Sequence, residues 1–186
     1  ITFAQELGYY AAEHIDADMV PLAGSAVIIP QILAGQIQGS GASLDPVIVS
    51  RDPGKPNFPV KFVYNINRNM VWEFAVMPSS PIKTIGDMKE VVIGVSSLAA
   101  NNIPHQAMLR ASGVDLSKVK FQAVGVGMQA YEALRTNQVQ ALGLWDVTHT
   151  AIEANAAPLR RLPLPPEFLG RSSHGLEVSN TEFDKR

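Results

Sequence analysis

Phe3, Leu7 and Tyr10 recur at helical spacing with Gly8 near the end of the run, which predicts an amphipathic helix at the head of the chain. No strand precedes it, so the opening reads as truncated. Residues 18–22 read as a strand, Gly24 and Ser25 as a turn with an N-cap, and residues 26–34 as a helix stopped by Gly35. Pro30 implies that this helix starts late or kinks. The small, Gly-rich residues 37–43 fit a short buried strand, and the proline-rich residues 45–59 are mostly loop. Strands are expected over 60–65 and 73–77, after which Pro78-Ser79-Ser80-Pro81 interrupts the pattern.

Beyond that break the pattern alternates. Strands over 91–96, 119–124 and 141–145 are separated by helices over 103–111, 128–136 and 148–156, the signature of a parallel sheet with helices on both faces. Pro158, Pro163, Pro165 and Pro166 break it again before a last strand-like run over 174–178. Two Pro-rich passages thus bracket an inserted lobe. Residues 32–41 also echo residues 134–143: each is a helix end, a Gly or Asn that tolerates the left-handed region, then a short strand of small residues. The echo fits one βα unit used once per lobe, and equally fits any αβ junction of such a sheet.

Composition narrows the classes. At 186 residues and 46% apolar, the chain can fill a core. Fifteen Lys and Arg against seventeen Asp and Glu, with no run of like charge, leave no footprint for nucleic acid. No apolar run approaches the roughly 20 residues of a spanning helix, and the start lacks the regions of a signal peptide. Without cysteine there are no disulfides, thiolate nucleophiles or Cys-bound zinc.

Four segments, in order, resemble the solute-binding proteins of ABC importers in the NMT1/THI5-like group, which serve nitrate, sulfonates, taurine and pyrimidine precursors of thiamine. They are residues 3–10 (FAQELGYY), 32–38 (ILAGQIQ), 80–89 (SPIKTIGDMK) and 137–146 (NQVQALGLWD). Three departures stand out. Gln38 and Gln140 replace the group's usual aspartates, Lys89-Glu90-Val91 replaces its Lys-Gly-Lys turn, and its first strand and C-terminal helices have no counterpart.

The resemblance implies an α/β, two-lobed periplasmic-binding fold of type II, with mostly parallel sheets and flanking helices. Lobe I is expected over 1–78 plus 174–186 and is incomplete; lobe II spans 82–170; 79–81 and 171–173 are hinge crossovers. It further implies a monomer outside the cytoplasm, periplasmic or membrane-anchored, that captures a small organic or oxyanionic solute between its lobes and presents it to a membrane permease. Catalysis, metal and cofactor are not expected.

Ligands of open parallel sheets bind beyond the carboxyl ends of the strands. That rule selects Ser97, Ala99 and Asn101 before a helix with Pro104 in its first turn, Gly125 and Gly127 one strand on, and Trp145 and Asp146 at the end of the third. Capping explains Asn101 and Asp146 as well, and a core or rim position explains Trp145. The first lobe offers Ser25, Ser43, Asn67 and Arg68; the arginine suits an anion, although an arginine in a polar loop is more often solvated. Tyr64 and Trp72 are aromatic walls or core.

His14, His105, His149 and His174 are scattered, without metal-ligand spacing, and read as surface or satisfied histidines. No Gly-x-Ser-x-Gly elbow occurs, and Gly125-Val126-Gly127 lacks the rest of a nucleotide fingerprint. The alternatives are an enzyme on the same fold, by proton abstraction or pyrimidine-precursor chemistry, and the effector-binding half of a transcriptional regulator.

Overall fold

Two sheets organise the chain in this computed structural model, which describes residues 2–22, 24–98, 102–155 and 157–185. Short helices α1 (Thr2–Glu6) and α2 (Tyr9–Ala12) are followed by α3 (Ser25–Leu33), β1 (Gly39–Ser40), α4 (Asp45–Val49) and β2 (Val60–Asn65). Then come β3 (Trp72–Val76), β4 (Val92–Val95), α5 (Ile103–Ala111), β5 (Lys120–Ala123), α6 (Met128–Arg135), β6 (Ala141–Trp145), α7 (Asp146–Ala154) and β7 (Arg160–Arg161). The last elements are β8 (Gly175–Ser179) and α8 (Asn180–Phe183).

The smaller sheet runs β1-β8-β2, antiparallel throughout. The larger runs β5-β4-β6-β3-β7; β4 is parallel to both β5 and β6, while β3 is antiparallel to β6 and β7. The α/β, two-sheet plan is therefore as expected, but strand sense is mixed rather than mostly parallel.

Both faces of the larger sheet are buried, so β4 and β6 are apolar along their whole length instead of alternating. On one face Phe74, Ile93 and Val95 meet Met108 and Leu109 of α5. On the other, Leu142 and Leu144 meet Ala133 and Leu134 of α6 and Ile152 of α7. The smaller sheet has a lesser core of Ile29, Val47 and Val60, flanked by Phe58 and Phe62.

Several elements differ from the sequence pattern. Residues 18–22 form no strand; no neighbour among the described residues offers them a ladder, and Val20 stays exposed. The strand expected over 37–43 shrinks to Gly39–Ser40. Helix α3 begins at Ser25 and runs through Pro30, and α7 begins at Asp146, two residues early. Within the expected loop lies α4, whose Asp45 and Pro46 suit a helix start while its β-branched Val47, Ile48 and Val49 disguise it.

The strand read as part of lobe I is the largest correction. β3 hydrogen-bonds to β6 and β7, because Trp72, Phe74 and Val76 find against α5 a depth of core that three strands cannot provide. The Pro78-Ser79-Ser80-Pro81 loop accordingly stays with the larger sheet. Arg160 of β7 holds it there, donating to the carbonyls of Pro78 (2.7 Å), Ser80 (2.7 Å) and Ile82 (2.5 Å). The chain crosses between sheets over 66–71 and again just before β8.

Two of the substituted motif positions, Gln140 and Glu90, have structural consequences. Gln140 Oε1 accepts the Val92 N–H at 2.9 Å, so it tethers β4 to the turn before β6. Glu90, where the family pattern has glycine, lies at φ 59°, a region that costs an L-residue about 1 kcal/mol. Its exposed ion pair with Lys118 returns little. Glu90→Gly is expected to raise unfolding free energy by about 0.5–1 kcal/mol in urea denaturation; an unchanged or lower midpoint would contradict this.

Candidate ligand-binding cleft

Strand direction decides what meets between the sheets. β4 and β6 point their carboxyl ends at the gap, while the antiparallel β3 and β8 point their amino ends at it. The result is a cleft of about 360 Å³, walled by both sheets.

From the smaller sheet come Gly24, Ser25, Ser43 and His174. Gly24, at φ 96° and ψ 169°, adopts a conformation reserved for glycine and lets α3 start at the cleft edge. Ser25 Oγ accepts the Ser43 N–H at 2.9 Å, which leaves the Ser25 hydroxyl hydrogen to donate elsewhere. The Ser43 hydroxyl donates to the Asp45 carboxylate. Burial raises the Asp45 pKa; the Ser43 hydroxyl, its own backbone and the nearby Trp72 indole oppose that rise.

From the larger sheet come Val71, Trp72, Ser96, Ser97 and Trp145. The two indoles stand nearly perpendicular, 84° at 5.8 Å between ring centroids, and form an apolar corner. Trp72 is only 7% exposed, so it is both core and wall, whereas Trp145 at the strand end is half-buried. Behind Trp72, the buried His105 lies edge-on at 5.5 Å with Nε2 3.3 Å from the Leu144 carbonyl oxygen.

His174 completes the corner, its ring 5.9 Å from that of Trp72 and tilted by 34°. Burial lowers its pKa and outweighs the opposing pull of Asp146, so the imidazole is neutral near pH 7.

Of the residues selected from sequence, Ser25, Ser43, Ser97 and Trp145 line the cleft. Ala99 and Asn101 lie outside the described residues. Gly125 and Gly127, at φ 73° and 61°, shape the turn into α6 and are not among the lining residues, nor is the exposed Arg68. Asp146 is a link rather than a lining residue: its N–H donates to the Val71 carbonyl at 2.9 Å and its Oδ1 accepts the Val147 N–H at 2.7 Å.

Asn67 also stands back from the cleft. Its Oδ1 accepts from the Ser173 and His174 backbone N–H groups at 3.2 and 3.0 Å, and from the Ser172 hydroxyl at 3.3 Å. Its Nδ2 donates to Ser173 Oγ at 3.1 Å. The side chain thus ties one crossover to the other.

Sequence reasoning misses Val71, Ser96 and His174, and does not decide between wall and core for Trp72. Trp72 and His174 stand at strand beginnings, where a rule about carboxyl ends does not look.

The architecture is that of periplasmic binding proteins. The chain is similar to the periplasmic aliphatic sulphonate binding protein SsuA from Escherichia coli, with TM-score 0.73 and 16% identity over 100% of this chain and 58% of that one. It is also similar to the alkanesulfonate-binding protein SsuA from Xanthomonas axonopodis pv. citri bound to MOPS, with TM-score 0.72 and 15% identity over 99% of this chain and 63% of that one. A Candida albicans protein with the generic periplasmic binding protein fold gives TM-score 0.68 and 16% identity over 100% and 60%. The chain therefore spans between 58% and 63% of the length of these three structures. Comparison with curated proteins finds no match. The family described as NMT1/THI5 like matches residues 1–175, nearly the entire sequence, and the chain belongs to that family.

Proposed function

We propose that this chain is the ligand-binding part of a solute receptor for an ABC importer, working outside the cytoplasm. The observation that carries the reading is the cleft itself: hydroxyls from both sheets and a corner of two perpendicular indoles converge on one volume of about 360 Å³. That volume suits a small organic molecule, and its mixed lining suits a compact or flat apolar body with a polar head. The body packs into the Trp72–Trp145 corner. The head faces Ser25 at the start of α3, where free N–H groups favour an oxygen-rich or anionic group.

The crossovers over 66–71 and before β8 serve as the hinge, so that lobe I ends near residue 65 rather than 78. A solute that touches both walls favours the closed form by its differential contacts, and the permease reads closure as occupancy. The cleft hydroxyls argue for binding rather than chemistry, since Ser43 is committed to a carboxylate rather than to a histidine base.

Both tryptophans of the sequence line the cleft, which makes intrinsic fluorescence a direct probe. Titration of the full-length protein with sulfonates, carboxylates and pyrimidines is expected to give a saturable change in tryptophan emission, with about one site per chain, for at least one class. A panel with no saturable binder, or turnover of the bound solute, would overturn the reading.

A further inference from the structure

The hydrogen-bond chain behind His174 has only one consistent direction. Backbone N–H groups can only donate, so the Asn67 atom that meets the Ser173 and His174 N–H groups must be its carbonyl oxygen. The other end of that amide is then NH₂, and it donates to Ser173 Oγ at 3.1 Å. The Val71 N–H approaches the same oxygen at 3.4 Å. Ser173, 2% exposed, thus spends both lone pairs as an acceptor, and its hydroxyl hydrogen is left for His174 Nδ1 at 3.1 Å.

From this we propose that Asn67 and Ser173 fix the tautomer of His174, making its Nε2–H a preset donor that selects solutes presenting a hydrogen-bond acceptor. Asn67 and Ser173 are positioning residues and touch no solute. Nε2 lies across the ring from Nδ1, and the ring is part of the cleft wall. A solute carboxylate, sulfonate or ring nitrogen satisfies that donor, whereas an ammonium group brought to the same place leaves two donors facing each other. The selection of solute rests on the receptor reading; the tautomer does not.

The test is a long-range ¹H–¹⁵N spectrum of the imidazoles in solute-free full-length protein at about pH 8, where an ordinary histidine is neutral. His174 is expected in the Nε2–H form. Asn67→Asp keeps the acceptor for both backbone N–H groups but replaces the donor to Ser173 with a second acceptor. The Ser173 hydroxyl then turns to the introduced carboxylate, and His174 is expected to switch to the Nδ1–H form. Ser173→Ala removes the relay altogether, and a mixture of both tautomers is expected. Wild-type His174 in the Nδ1–H form, or an unchanged tautomer in both variants, would overturn the proposal. Because the spectra need no solute, a panel without binders would sink the receptor reading and leave this result standing.

Discussion

Trp145→Ala is expected to weaken solute binding by about 2 kcal/mol, roughly thirty-fold in Kd, while the protein remains folded. Trp145 ends β6, is half-buried, and packs against the Trp72 edge at 5.8 Å. Its removal opens one side of the apolar corner without excavating the main core. Trp72→Ala should behave differently. At 7% exposure that ring also packs among the buried residues around Phe74, and its loss costs about 3–5 kcal/mol of stability. Calorimetric titration beside a thermal melt separates the two outcomes. A Trp145→Ala protein that binds as tightly as wild type would remove the indole corner from the site.

The second large effect lies far from the cleft. Glu177, on the central strand of the smaller sheet, is fully buried. The Ser40 hydroxyl donates to its Oε1 at 3.1 Å, and Oε2 meets no partner among the described residues. Burial pushes its pKa up to about 7 from 4.5, against the smaller opposing effect of Ser40. A carboxyl raised in this way binds its proton more tightly when folded than when unfolded. Its contribution is fully present below pH 4.5 and is lost as pH rises through about 7. The loss amounts to about 3 kcal/mol at most. Urea unfolding at pH 4.5, 6 and 8 is expected to show wild-type stability falling across that window. Glu177→Gln keeps the acceptor for Ser40 and has no charge to bury, so this component should vanish and the variant should exceed wild type at pH 8. Parallel pH profiles for the two proteins would contradict the assignment.

Much of the larger sheet was legible because its pattern is repetitive. Helix Ile103–Ala111 and strand Ala141–Trp145 fall where periodicity places them, and in the smaller sheet Val60–Asn65 does likewise. Local pattern failed where the deciding information was a distant partner. Trp72–Val76 reads as a strand from its own residues, but only its pairing with β6 and β7 assigns it to the larger sheet. The site divides in the same way. Ser97 lies just past the carboxyl end of β4 and Trp145 forms that of β6, so both could be found by rule. Trp72 and His174 become visible only once β3 and β8 are known to run antiparallel. Asn67 looked like a ligand-facing amide because its partners, Ser172 to His174, are more than a hundred positions away.

The position of bound solute tests most directly whether it lies between the two sheets. A crystal structure of the full-length protein with the best binder of the panel is expected to show it against Trp72 and Trp145, with an acceptor atom toward His174 and its polar head near Ser25. Solute found only in the shallow depression beside Gln129 and Gln138, with the cleft between the sheets left to water, would contradict the account.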